Sequence, residues 1–179
     1  LLKNWRKIRV SKLDLSFYEE LHKRVAQWNC RVGNEIPSEL PSQCFALLEN
    51  QAKRVVEEAN EILDGATKRD VNEILDGIVD TLFTLVYAVE IARKMGYDVA
   101  GACKAVCDEN DTKLSDNYNL VKEEVDKLNE QFGENYCRMS KTVGAKQAFY
   151  CIKRNSDGKV LKFSTHKKVD LNDFIPNGY

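Results

Sequence analysis

The chain is poor in the residues that most often carry recognisable chemistry. It has two histidines, His22 and His166, in 179 residues. A carboxylate-bridged di-iron bundle calls for two Glu-x-x-His motifs. Glu19-Glu20-Leu21-His22 supplies one, but His166 follows Phe163, so that reading fails. Six cysteines (Cys30, Cys44, Cys103, Cys107, Cys137, Cys151) form no CxxC pair and no zinc-ligand spacing. Cys103 and Cys107 fall one helical turn apart, where free buried thiols behave as small apolar residues. All six are expected to be reduced and structural, which points to the cytosol. No apolar run is long enough to span a bilayer. The longest, from Ile78 to Ala92, is broken by Asp80 and Glu90, so no membrane partner is expected. No signal peptide is recognised, and a start at Leu1 rather than Met is what a chain lacking its true N-terminus shows. Internal repeats and low-complexity tracts are absent as well.

Net charge is also nearly absent, but the sum hides a division. Twenty-seven basic and 28 acidic side chains leave −1. Residues 49–80 hold nine acids against four basic residues, while residues 138–168 hold nine basic residues against Asp157 alone. The basic run reads as a solvated tail or as a cationic flap over an anionic ligand. Only one aromatic pair, Phe149–Tyr150, interleaves it, too little aromatic surface for nucleic acid to be expected as a partner. With 43% apolar and 31% charged residues, the chain has the composition of an ordinary globular protein.

Periodicity predicts helices. Leu13, Phe17, Leu21, Val25 and Trp28 form an amphipathic stripe over 13–29. After a loop with Pro37 and Pro41, a second helix is expected from an N-cap at Ser42 to about Leu63, stopped by Gly65 at C′. Asp70 caps a third, running to about Lys94 and ended by Gly96. It is apolar nearly all round after Ile78, which makes it the central buried helix. Further helices are expected over 98–114 and from Asp116 or Asn117 to about Phe132. From Phe149, FYCIKR–NSDG–KVLKF reads as a β-hairpin turning at Asp157-Gly158. The expectation is all-α: a bundle of four to five helices over 1–135, with a basic C-terminal extension, 136–179, packed on the same domain and holding a short hairpin.

The acids of the second and third helices carry the chemistry. VVEEANEILDG supplies Glu57, Glu58 and Glu61; NEILDGIVDTLF supplies Glu73, Asp76 and Asp80. At about 100° per residue, Glu57 and Glu61 lie roughly 40° apart, as do Asp76 and Asp80. Two such stripes repel unless something positive lies between them, and carboxylate oxygens suit a hard cation such as Mg²⁺. Asp80 is the sharpest case. An ionised carboxylate in GIVDTLFTLVYAV costs at least several kcal/mol if buried without a partner. Gly77, beside Asp76, lets a neighbouring helix or ligand approach closely. Further on, Asn110 and Lys113 share a helix face and suit a phosphate.

EExxE at Glu57, Glu58 and Glu61, then the second acidic stretch, then NxxK at Asn110 and Lys113 resemble the all-α nucleoside triphosphate pyrophosphohydrolase superfamily. That superfamily includes MazG-like and phosphoribosyl-ATP pyrophosphohydrolases. The start, FYEELHKRVAQWN, and the ending, DGKVLKF, resemble phage-type members. The second motif departs from the family's ExxD: one alignment uses Asp76 with Asp80 and places Gly77 at the Glu position, the other uses Glu73 with Asp76. Asp76 with Asp80 is favoured, because Asp80 is the more costly to bury unpaired. The resemblance implies hydrolysis of a (d)NTP to the monophosphate and pyrophosphate. It implies Mg²⁺, with Mn²⁺ able to substitute, on Glu58, Glu61, Asp76 and Asp80, with Glu57 as base or water-orienting carboxylate. Asn110 and Lys113 would hold phosphate, and Asn34 and Gln51, on position alone, would lie at a base pocket between the first two helices. The long apolar third helix implies a homodimer or homotetramer. The rival from another class is a non-enzymatic helical adaptor with solvated acidic faces, which leaves Asp80 unexplained.

Overall fold

The link between the two acidic stretches decides how they face each other. In the computed structural model, which describes residues 15–37, 41–143 and 148–176, α2 (Pro41–Lys68) runs straight through Gly65. It ends instead on Arg69 in the left-handed region (φ 60°), with the Asp70 amide donating to the Gly65 carbonyl at 2.8 Å. Gly65 is therefore not the C′ residue. It is kept small because a Cβ there would lie 2.8 Å from the Ile74 amide nitrogen. The Asp70 carboxylate then caps α3 (Val71–Lys94), accepting from the Asn72 and Glu73 amides as the sequence predicts. Three residues further along, Gly77 meets Ile62: a Cβ would stand 2.9 Å from the Ile62 amide nitrogen and 3.2 Å from the Glu58 carbonyl. The two glycines thus bring α2 and α3 into backbone contact, antiparallel and in a fixed register. Gln51, buried, ties the far end by donating to the Thr84 carbonyl at 2.8 Å.

The chain divides into two compact units, Leu1–Tyr97 and Asp98–Tyr179. In the first, α1 (Leu15–Arg31) joins α2 and α3 around Val25, Cys44, Val86, Tyr87, Ile91 and Met95. Burial of α3 is confined to part of its surface. Val71, Leu75, Ile78, Val79 and Leu85 remain exposed, so among the described residues the helix is not enclosed as its composition suggests. Leu13 and the side chain of Ser42 lie outside the described residues, as does Lys146 of the basic run.

In the second unit, α4 (Val99–Asp111) starts on an Asp98 cap but ends before the expected 114, and α5 (Tyr118–Phe132) is capped by Asn117, one of the two starts the sequence leaves open. The extension is a three-stranded antiparallel sheet, β1 (Cys137–Val143), β2 (Ala148–Arg154) and β3 (Val160–Leu161), in that order. The expected hairpin is the β2–β3 pair, with Gly158 at φ 74° in its turn. β1 lies within what reads as a solvated basic run. Its alternating Cys137 and Met139 join Val121, Val125, Ile152 and Phe163 in a second core, which draws α5 to the sheet rather than leaving a boundary near residue 135. Two carboxylates fasten the chain beyond the sheet. Glu124, buried, accepts from the Ser164 amide and hydroxyl, each at 2.8 Å. Glu109 accepts from the Val169 amide (2.8 Å), His166 (2.8 Å) and Lys162 (3.1 Å). Those donors hold its carboxyl down at about 2, the Val169 N–H contributing most. The stability they give is present above its ordinary value of 4.5 and is lost as pH falls from there towards about 2.

Thiols follow neither a single environment nor a single role. Cys44, Cys137 and Cys151 are buried, whereas Cys30, Cys103 and Cys107 are exposed, and all are free. Cys103 and Cys107 lie on a helix with no buried residue, which is why the expectation of core thiols fails there. Among the described residues no helix is long and apolar enough to cross a membrane.

Gly77→Ala tests the crossing. The gain in helix propensity, about 1 kcal/mol, is opposed by a Cβ forced against backbone atoms that cannot rotate away. A net loss of about 1–3 kcal/mol is expected, read as a lower urea midpoint at unchanged slope.

Candidate functional site

The close crossing of α2 and α3 gathers five of the six acids. The Glu58 carboxyl is pushed above its ordinary 4.5, first by burial and then by the charges of Glu61, Asp80, Glu57 and Asp76 in that order. Glu58 is thus the centre of a like-charged group formed by both helices. Glu58, Glu61 and Asp80 are half-buried, while Glu57 and Asp76 are exposed. Glu73 stands apart. Its carboxylate takes the Lys68 ammonium at 3.1 Å, and the charges that raise Glu58 most are those of the other four acids. Of the two alignments open in the sequence, the fold therefore groups Asp76 and Asp80 with the EExxE acids. Asp80 lies at the edge of the apolar run and opens to a cavity, so it is not sealed in the core.

That cavity, about 290 Å³, is formed by all three helices of the unit. It is lined by Glu58, Asp80 and Arg54, by Gln51, Asn29 and Thr84, and by Trp28 and Phe83, which meet edge to face with ring centroids 5.6 Å apart. Arg54 makes no ion pair among the described residues, and its charge acts on the buried Tyr87 hydroxyl. Trp28 belongs to the apolar stripe of α1, yet it is 46% exposed. Of the two amides expected at a base pocket, Gln51 is in this cavity. Asn34 is in an adjoining one of about 310 Å³, and Asn29 lines both. Asn29, buried, accepts from the Asn34 amide at 3.1 Å and donates to the Val25 carbonyl at 3.0 Å, so the two cavities share a fixed amide wall.

Sequence reasoning missed Arg54, Trp28, Asn29 and Phe83. Arg54 is four residues before Glu58 and Phe83 three after Asp80, each one turn from an acid and on its face. That spacing was available as a signal. Trp28 gave none, because its position in an apolar stripe reads as core.

A larger cavity of about 490 Å³ lies along α1 and α3, away from the acids. It holds His22, whose Nδ1 is 2.7 Å from Glu90, itself bonded by Arg93 at 2.9 Å. Glu90 thus has both its partners within this cavity. Asn110 and Lys113 belong to the second unit, where the Lys113 ammonium donates to the Asn110 side-chain oxygen.

Chemically, an all-oxygen donor set with excess negative charge fits a hard divalent cation. Among the described residues, however, no three carboxylates, imidazoles or thiols converge as a formed cage. The acids share an electrostatic neighbourhood, and the uncompensated charge at Glu58 is the observation that favours a cation there.

Because the Glu58 value is raised, its protonated form contributes stability that is complete below 4.5 and fades as pH climbs through the folded-state value. Glu58→Gln removes that titration. The variant is expected to exceed the parent in stability at pH 7 and low salt by up to about 1 kcal/mol after solvent screening, and the two should converge below pH 4.5. Paired denaturation curves at pH 4 and pH 7 check this.

No family model, curated protein or solved structure matches the chain, so a functional reading has to be built on these side chains.

Proposed function

We propose that this protein is a divalent-cation-dependent nucleoside triphosphate pyrophosphohydrolase, cleaving a (d)NTP between its α and β phosphates to the monophosphate and pyrophosphate. The observation that carries the reading is the five-carboxylate group, two of whose members, Glu58 and Asp80, line a cavity that also holds an arginine, two amides and an aromatic pair. The resemblance of EExxE, the second acidic stretch and NxxK to that superfamily supports it.

Each part of the cavity has a task in this reading. Glu58, Glu61, Asp76 and Asp80 supply oxygen ligands for Mg²⁺ or Mn²⁺. When bound, such a cation supplies charge neutralisation for the triphosphate and a lowered pKa for a bound water. Glu57, exposed at the rim of the group, orients or deprotonates the attacking water. Arg54 offers a fork of N–H donors to phosphate oxygens on the side facing Glu58 and Asp80. Trp28 and Phe83 present ring edges and faces to a planar base, and Gln51 and Asn29 can read its edge through their amides. Asn34 reaches that wall only through Asn29, which makes it a positioning residue. The assignment of Asn110 and Lys113 to a phosphate oxygen rests on the sequence pattern alone.

The adaptor reading leaves the charge crowded at Glu58 without a use, since a solvated face spreads its acids. The two readings separate in one assay. The purified chain, incubated with each of the eight common NTPs and dNTPs and Mg²⁺ or Mn²⁺, is expected to release pyrophosphate from at least one. Asp80→Asn should lower that rate by a factor of about 10² or more, the scale on which removing one preorganised charge-stabilising group acts, while keeping its helical circular dichroism. No release from any nucleotide would leave the adaptor as the better account.

A further inference from the structure

β1 is an edge strand, and part of its outer rim is unpaired. The sheet order leaves it a neighbour on one side only, β2. Which backbone groups face outward follows from the two ends of the strand. At Cys137 the Asn129 side chain takes the place of a neighbouring strand. Its Oδ1 accepts from the Cys137 amide at 2.9 Å and its Nδ2 donates to the Cys137 carbonyl at 3.1 Å. At the other end Lys141 stands opposite Tyr150, whose amide and carbonyl turn away from β1 to pair with Ser115 at 2.7 and 2.9 Å. Both are therefore antiparallel pairs that exchange no hydrogen bonds, and on β1 their N–H and C=O groups point to the rim. Met139 stands two residues from each and does the same. The rim groups of Met139 and Lys141, two donors and two acceptors, have no partner among the described residues. Such a rim is a template for one more strand.

What the rim suits is set by the charge beside it. Cys137, Met139 and Lys141 share one face of the strand, the α5 side, where Cys137 and Met139 join the core. A residue opposite Met139 on an added strand points the same way, next to Asn129. Asn129 lines a cavity of about 410 Å³ with Asp126, Glu130 and Glu134. Those three acids are exposed and enter no ion pair among the described residues. We propose that the rim of β1 receives an extended segment of a partner protein, antiparallel and bonded to the Met139 and Lys141 backbone. Basic side chains at alternate positions of that segment reach the cavity of Asp126, Glu130 and Glu134. Lys141, at the far end of the rim, repels a base there and so sets the basic end of the segment over α5. A second copy of β1 is the poorer fit. Its only basic side chain on the α5 side is Lys141, one base for three acids. The inference uses no residue of the first unit and stands apart from the pyrophosphohydrolase reading.

The probe is a fluorescein-labelled peptide of alternating threonine and valine, with lysines at two alternate positions near its C-terminus. Anisotropy with the full chain is expected to show saturable binding, at least about ten-fold tighter than for the same peptide with glutamates in place of the lysines. Lys141→Pro removes a rim donor but leaves the β1–β2 bonds, which use Arg138, Ser140 and Thr142. It should weaken binding at least about ten-fold with near-ultraviolet circular dichroism unchanged, while Lys141→Ala binds no less tightly than the parent. The combined Asp126→Asn, Glu130→Gln, Glu134→Gln variant, changed at exposed positions only, should bring the two peptides within about two-fold of each other. No binding of the lysine peptide, equal binding of both peptides by the parent, or Lys141→Pro binding as tightly as Lys141→Ala would each overturn the proposal. So would a parent whose mass doubles in sedimentation while that of Lys141→Pro does not, since the rim would then belong to a second copy.

Discussion

Repulsion among like charges, held in place by two glycines, is the constraint on which the N-terminal unit turns. Gly65 and Gly77 let the backbones of α2 and α3 touch, and that contact leaves Glu57, Glu58 and Glu61 on one helix facing Asp76 and Asp80 on the other. A wider crossing would let the acids separate into water, as they do on most surface helices. Here burial and four neighbouring charges act together on Glu58, and the Glu73–Lys68 pair takes the sixth acid out of the group. The fold keeps an unfavourable arrangement because the rest of the unit, cored on Val25, Tyr87 and Ile91, fixes the helices in register.

The two units use carboxylates in opposite ways. Glu109 and Glu124 are surrounded by donors, and Glu109 is driven well down by them. They fasten the chain after β3 to α4 and α5. Glu58 has no donor of that kind among the described residues and is driven up. Satisfied acids hold a structure together, whereas crowded and unsatisfied ones point to something that is to be bound.

Much of this was legible in the sequence, and the exceptions have physical causes. Helix starts at Asp70 and Asp98 are read from local hydrogen-bonding chemistry, which needs no tertiary context but does not choose between Asp116 and Asn117. Helical spacing admits either acidic pair, and the preference for Asp76 with Asp80 rests on the cost of burying Asp80 unpaired. Gly65 was misread as a helix end because a glycine kept small for a neighbour's backbone looks the same in sequence as one kept for a left-handed turn; Arg69 took the turn instead. β1 was hidden in a basic run, since only its alternate Cys137 and Met139 face the core. The long apolar run of α3 asks for more cover than a few helices give, but which flank stays exposed is not legible, because an apolar residue does not say where its cover comes from. Trp28 shows the converse, an apolar residue on a core stripe that opens to the cavity.

The central claim, that the crowded carboxylates are set for a divalent cation, is tested most directly by thermal stability in Mg²⁺. A ligand at ten times its Kd adds about 1.4 kcal/mol, which for a domain of this size raises the melting temperature by roughly 5–10 °C. The account predicts such a rise with Mg²⁺ over a potassium control of equal ionic strength, and its loss in Asp80→Asn. A parent protein indifferent to Mg²⁺, or a variant that gains as much as the parent, would contradict it.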